Sequence, residues 1–294
     1  MPKVKTNKIE IEYETFGDPS NEALLLINGL GSQMINWFED LIQLFTDKGF
    51  YVIRFDNRDV GLSTKFDHLG IPNTMEALKT LQRGEKIKFD YTLDDMADDS
   101  VGLLDALKIE KAHLCGMSMG SFISQIISYR HPSRVLSLTS ILGSTGLPNL
   151  SRAKTESVDL LFGPPPQGKE AIIERKVNVR RIWHGSGFPF DEERMRLHEI
   201  HAYERNYYPQ GLTRQLMAIM IQGDRKPMLS SIKVPTLVIH GSEDPHVPVE
   251  EGRDTAEAIP GAELLIIEGM GHSIYIPETW PQIVEAIVKN ATKE

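Results

Sequence analysis

Hydrophobic and polar residues alternate through residues 9–16 (IEIEYETF), the period-two mark of a half-exposed antiparallel strand. Further along, the pattern changes to short, nearly unbroken apolar runs: Ala23–Ile27, Tyr51–Phe55, Ala112–Cys115, Val135–Leu142, Pro235–Ile239 and Glu263–Ile267. Most of them stop at Asn, Asp or Gly. Runs of this length suit strands buried on both faces, as in a parallel sheet covered by helices. Helical spacing fills the intervals. Leu93, Met96, Ala97, Val101, Leu104 and Leu107 fall on one helical face, and Thr92 followed by Asp95 predicts a capped start. A second helix is expected from Met119 to about Arg130, stopped by Pro132, with two more over Glu250–Ala258 and Pro281–Lys289. Strand and helix in alternation predict an α/β fold: a mostly parallel central sheet flanked by helices, with right-handed crossovers.

One stretch breaks the alternation. From about Gly143 to Lys226 no buried strand is evident. This stretch contains Gly163-Pro164-Pro165-Pro166 and then helix-like segments rich in Arg, Trp, Tyr and Met. The simplest reading is a helical cap, residues 144–226, inserted between core strands of a domain built from residues 1–143 and 227–294. Such a cap would lie over the sheet's C-terminal edge, enclose a cavity and exclude water.

A chain of 294 residues suits one core of this kind with an insertion. Lys and Arg number 32 against 41 Asp and Glu, a formal charge of −9. That balance repels phosphate backbones and anionic lipid, so the expected partner is a small molecule rather than nucleic acid or a membrane. The single Cys rules out an intramolecular disulfide and an all-Cys metal site. It fits a reducing cytoplasm, which is the expected location. Charges interrupt the first residues, so no signal peptide is read there, and no run of about 18 apolar residues predicts a membrane span.

The strongest chemical signal is Gly116-Met117-Ser118-Met119-Gly120, between a strand-like AHLC and a helix-like SFISQIISYR. Small residues there permit a strained strand-to-helix turn that lifts the serine hydroxyl clear of the sheet. The helix N-terminus behind it favours developing negative charge. A serine needs a base, and the base needs an orienting carboxylate. On such a sheet their expected chain order is serine, carboxylate, histidine. Asp244 follows the run PTLVI and His272 follows ELLII, so both leave the C-terminal ends of strands, on the rim that carries Ser118. Glu243 is the rival carboxylate. Asp244 is preferred because Pro245 stiffens the next turn and Asp is the shorter orienter. For the oxyanion, Asn28-Gly29-Leu30-Gly31 supplies a loop whose N–H groups could face the site. The assigned donors are the N–H of Leu30, with Gly31 as the alternative, and the N–H of Met119.

Five ordered segments together resemble the α/β-hydrolase superfamily over nearly the whole chain: Asn28–Gly31, Asp56–Ser63, Gly116–Gly120, Gly241–Pro245 and Gly271-His272. Within it, the Asn57-Arg58-Asp59 loop and the Met-Ser-Met elbow are similar to the carboxylesterase and methylesterase branch that includes aclacinomycin methylesterase. The resemblance implies the α/β-hydrolase fold, serine-ester hydrolysis without a cofactor, and a helical cap shaping the substrate pockets. Two positions depart from many relatives: Asn28 stands where they carry His, and Ser121 where they carry a second Gly. Neither change removes a backbone donor.

Other residues admit two readings. Trp183, Tyr203, Tyr207, Tyr208, Met217 and Met220 suit either a hydrophobic pocket or packing within the cap. His246 could line the pocket or simply belong to its loop. His198-Glu199-Ile200-His201 lacks the four-residue spacing of a helical zinc pair, so it reads as exposed cap polarity, and no metal site is expected. Asp56, Arg58 and Asp59 read as an ion-paired loop, with a substrate clamp as the alternative. Cys115 reads as structural. The same serine chemistry also serves carbon–carbon hydrolases, amino-terminal peptidases and perhydrolases, or a slow-turnover ligand receptor. A peptidase would need cap carboxylates such as Glu199 and Glu204 to meet a substrate amine.

Overall fold

A computed structural model describes residues 2–146 and 166–293. Of Gly163-Pro164-Pro165-Pro166, the first three residues lie outside the described residues. Eight strands form one sheet: β1 (Lys3–Thr6), β2 (Ile9–Phe16), β3 (Ala23–Ile27), β4 (Tyr51–Phe55), β5 (Ala112–Met117), β6 (Val135–Ile141), β7 (Thr236–Gly241) and β8 (Glu263–Ile267). Their spatial order is β1-β2-β4-β3-β5-β6-β7-β8. The β1–β2 and β2–β4 pairs are antiparallel, and every later pair is parallel.

The apolar run in β3 shows why the parallel part needs cover on both sides. Leu25 and Ile27 join a core formed with helices α3 (Leu93–Ala106) and α4 (Met119–Arg130). Leu24 and Leu26, pointing the other way, join a second core with α1 (Glu39–Asp47) and α10 (Trp280–Ala291). The run at β8 departs from that expectation. Glu263 and Leu264 are exposed and only Ile267 is buried, because β8 is an edge strand and lacks a neighbour on one side.

Helix α3 starts as expected: the Thr92 side chain accepts from Asp95 N–H, and the Asp95 carboxylate accepts from Thr92 N–H. Two further core helices are α2 (Thr74–Gln82) and α9 (Val249–Ala258). Between β6 and β7 the described residues form only helices: α5 (Lys169–His184), α6 (Glu192–Asn206), α7 (Pro209–Gln222) and the short α8 (Lys226–Leu229).

Helices α6 and α7 are tied to the loop after β4 by charge. Arg205 lies 2.8 Å from the Asp56 carboxylate, and Arg214 donates two hydrogen bonds of 2.8 and 2.9 Å to Asp59. Arg58, between those two acids, is bidentate to Asp99 on α3 at 2.6 and 2.8 Å. The loop after β4 is therefore a buried set of ion pairs, in line with its structural reading. No helix among the described residues is long and apolar enough to cross a membrane.

Candidate active site

Strand β5 turns into α4 through Ser118, whose backbone sits at φ +53° and ψ −120°. A non-glycine residue rarely adopts this left-handed region, and holding it there stores strain. The flanking glycines make the turn possible. A Cβ on Gly116 would run into the Gly120 carbonyl, and a Cβ on Gly120 would run into the Ile27 carbonyl. Ser118 N–H donates to Ile141 O at 2.8 Å, tying the turn to the end of β6.

The loops after β7 and β8 are zipped together beside it. Ser242 N–H donates to Ile267 O, Glu243 N–H to Met270 O, and Gly269 N–H to the Ser242 hydroxyl. Between them Asp244 and His272 meet, with His272 Nδ1 2.6 Å from Asp244 Oδ2. The other ring nitrogen, Nε2, lies 3.1 Å from Ser118 Oγ. Three side chains distant in the chain therefore share one line of contacts. The second Asp244 oxygen accepts from the N–H groups of His246 and Val247, both at 2.8 Å. Burial alone would raise the Asp244 carboxyl. The charge of His272 and hydrogen bonds from His240 and His272 outweigh it and hold the group below the usual carboxylate range.

The rival Glu243 points elsewhere. Its carboxylate accepts from Ser186 N–H at 2.7 Å and from the Ser186 hydroxyl at 2.8 Å. Ser186 belongs to a short segment after α5 that also grips the His272 loop. Gly271 N–H donates to His184 O and Gly187 N–H to Gly269 O. A Cβ on Gly185, Gly187, Gly269 or Gly271 would strike backbone of the facing segment, so these glycines let two chains approach closely. That contact was not read from the sequence, although the Gly185-Ser186-Gly187 triplet was its visible trace.

On the other side of Ser118 lies the loop after β3. A Cβ on Gly29 would sit 3.2 Å from Ser118 Cβ and 3.7 Å from its Oγ. Ser32 N–H donates to Gly29 O, so Leu30 and Gly31 are the corner residues of a turn, and Gly31 takes φ +65°. Gly31 N–H is already engaged at 2.8 Å by Gln215 Oε1. Neither Leu30 N–H nor Met119 N–H meets an acceptor among the described residues.

A family model for the alpha/beta hydrolase fold matches residues 22–178, and one described as TAP-like protein matches residues 218–289. The chain belongs to the α/β-hydrolase family. It is 30% identical to rhodomycin D methylesterase DauP of Streptomyces sp. (strain C5), with 93% of each chain covered. It is 26% identical to 3-oxoadipate enol-lactonase 2 of Acinetobacter baylyi, covering 96% of this chain and 94% of that one. A meta-cleavage product hydrolase from Pseudomonas fluorescens IP01 superposes with a TM-score of 0.75 at 20% identity, covering 99% and 97% of the two chains.

In this α/β hydrolase the side chains expected near the site divide. Trp183 stacks on His246 with ring centroids 4.9 Å apart, and both rings meet His272 edge-on at 5.2 and 5.0 Å. They form an aromatic wall against the imidazole. Burial and the neighbouring His272 charge push the His246 imidazole down to about 3, so it stays neutral. Tyr203 and Tyr207 stack on each other at 4.9 Å. Met217 is buried in a cluster with Ala77, Leu216 and Met220, against which Leu30 packs.

The exposed reading of His198 to His201 needs correction, because His198 and Glu199 are buried and only His201 is exposed. Glu199 is paired with Arg180 at 2.7 Å and Lys176 at 3.3 Å. Burial alone would raise its carboxyl, but those two charges hold it down at about 2. His198 Nε2 faces Asn36 Oδ1 at 2.6 Å, with its own titration pushed down to about 3 by burial and by Arg180. A polar residue on an inserted helix is not an exposed one when that helix lies on other polar side chains. Glu204 is paired with Lys169, so both carboxylates a peptidase would need are already matched with cations. Cys115 is fully buried, and burial pushes its thiol up, as expected for a structural residue.

Proposed function

We propose that this α/β hydrolase cleaves carboxylic esters of small to medium, largely apolar substrates through an acyl-enzyme intermediate. Ser118 is the nucleophile, His272 the general base and then acid, and Asp244 the group that orients the imidazole. One observation carries the reading: a single imidazole touches the hydroxyl with one nitrogen and the carboxylate with the other. An ionised carboxylate can only accept, so the Asp244 contact places the ring proton on Nδ1 and leaves the Nε2 lone pair to the Ser118 hydroxyl.

As Ser118 Oγ attacks the carbonyl, its proton passes to Nε2. Asp244 stabilises the imidazolium. The oxyanion is met by the N–H groups of Leu30 and Met119, the latter at the positive end of α4. The imidazolium returns the proton to the departing alkoxide oxygen. Water, deprotonated by the same nitrogen, then attacks the acyl-serine; the acyl–Oγ bond breaks, Ser118 Oγ takes that proton back from Nε2, and the acid is freed. The similarity to a methylesterase and an enol-lactonase supports an ester bond as the one cleaved.

Residues 144–226 act in this proposal as a cap over a core of residues 1–143 and 227–294. The aromatic wall of Trp183 on His272 and the Arg205–Asp56 and Arg214–Asp59 pairs support that arrangement. The test is Ser118→Ala, assayed with aryl esters of rising acyl length. Turnover is expected to fall about 10⁴-fold or more with the melting temperature preserved, and a serine-directed organophosphonate should label the parent alone. Parental turnover in the variant would remove Ser118 from the mechanism.

A further inference from the structure

Gln215 is fully buried on α7, in the inserted helices, yet both ends of its amide reach the core. Its Oε1 accepts from Gly31 N–H at 2.8 Å, and its Nε2 donates to Arg58 O at 2.7 Å. The two bonds link the loop after β3 to the ion-paired loop after β4. Neighbouring positions of the same helix reinforce this. Arg214 is bidentate to Asp59, and a Cβ on Gly31 would run against the Leu212 side chain 2.8 Å away. The helix therefore touches the turn at Gly31 through Leu212 and Gln215 and the loop after β4 through Arg214 and Gln215.

The consequence falls on the adjacent peptide. The turn has two corner N–H groups, and its own closing bond, Ser32 N–H to Gly29 O, uses neither. Gln215 takes the one at Gly31 and so fixes the rotation of the corner, and with it the direction of the one at Leu30. Without an acceptor at position 215, the half-buried Gly31 N–H would lose its only protein partner among the described residues. The loop would relieve that cost by rotating.

We propose that Gln215 is a positioning residue: by binding Gly31 N–H and Arg58 O it aims the Leu30 N–H at the oxyanion formed on Ser118. The inference rests on the ester-hydrolase reading above. The inserted helices would then complete the catalytic rim as well as cover it. A donor displaced by about 1 Å is enough to cost about 100-fold in rate, since oxyanion stabilisation depends on donors already in place.

The experiment compares the parent enzyme with Gln215→Leu and Gln215→Met on an aryl ester and on its thiono analogue, in which C=S replaces C=O. Active sites are counted by organophosphonate titration, so only folded protein enters the rate. Both variants are expected to lose about 10- to 100-fold in kcat per titrated site while KM stays within about threefold. The ester-to-thionoester rate ratio should shrink, because sulfur depends less on an aimed N–H. A residue that merely supports the fold would lower the titratable fraction and leave both kcat per site and that ratio unchanged, which overturns the proposal. So does failure of both variants to fold, since the role is then structural. If the parent neither takes up the phosphonate nor hydrolyses the ester, the failure belongs to the ester-hydrolase reading instead.

Discussion

Ser118 holds a backbone conformation that costs about 1–3 kcal/mol, and it persists because its neighbours leave no alternative. Gly116 and Gly120 give the turn the room it needs, and Ser118 N–H is anchored on Ile141 O. Gly116→Ala is expected to destabilise the protein by about 1–3 kcal/mol, because the new methyl group meets the Gly120 carbonyl and the Ser124 hydroxyl. Chemical denaturation of variant and parent checks this, and an unchanged midpoint would mean that the turn is not packed as described. At this scale the sequence was most informative. The glycine–serine–glycine spacing named the turn, and Asp244 and His272 were legible from the strand ends they follow. The choice between Asp244 and Glu243 was weaker in the sequence. In the structure Ser186, a residue 57 positions from Glu243, occupies the rival carboxylate, and Asp244 is the one that touches His272.

Among elements, the contacts between the inserted helices and the loop after β4 matter most for the site. Arg214 and Asp59 are both buried, and Asp59 also accepts from the Tyr91 hydroxyl. Arg214→Met strands that carboxylate without its cation, and a loss of about 3–5 kcal/mol is expected. Adding Asp59→Asn should recover part of it, so a double-mutant cycle measured by denaturation separates the pair from the rest of its surroundings. Strand and helix positions were readable where a full apolar stripe or a cap marks them, as in β3 and in α3. Helices α1 and α2 escaped the reading for physical reasons. Each has nine residues; α1 lacks a side-chain cap, and α2 buries only Ala77. β1 has four residues, two of them lysine, and it is held by pairing with β2 rather than by a pattern of its own.

At the level of the molecule, several buried groups respond to acid in the same direction. His198 and His246 are both pushed down from 6.5 to about 3, so the unfolded chain binds protons on them that the native state refuses. Asp244 and Glu199, held below their usual ranges, add to this at lower pH. Each contribution is present above the unfolded value and is lost as pH falls toward the folded one. These two imidazoles should therefore make stability decline as pH drops from about 6.5 toward 3, together contributing up to about two protons taken up on unfolding, about 2.7 kcal/mol per pH unit. Denaturation midpoints measured across that range test it, and replacing His198 by Asn should reduce the slope by about one proton. A flat profile would mean that these imidazoles are not buried neutral.

The local order of the chain carried the alternating elements, the strained turn at Ser118 and the order of serine, carboxylate and histidine. The first two depend on spacing and backbone freedom within about ten residues, and the third on which strand end each residue follows, all of which a sequence displays directly. Packing alone determined which remote segments meet: Ser186 on Glu243, Trp183 on His272, Gln215 on Gly31, and the burial of His198 and Glu199. The stretch between β6 and β7 supplies a side chain to each of those contacts. Where such helices settle depends on long-range ion pairs and close backbone approaches, and no local periodicity encodes either.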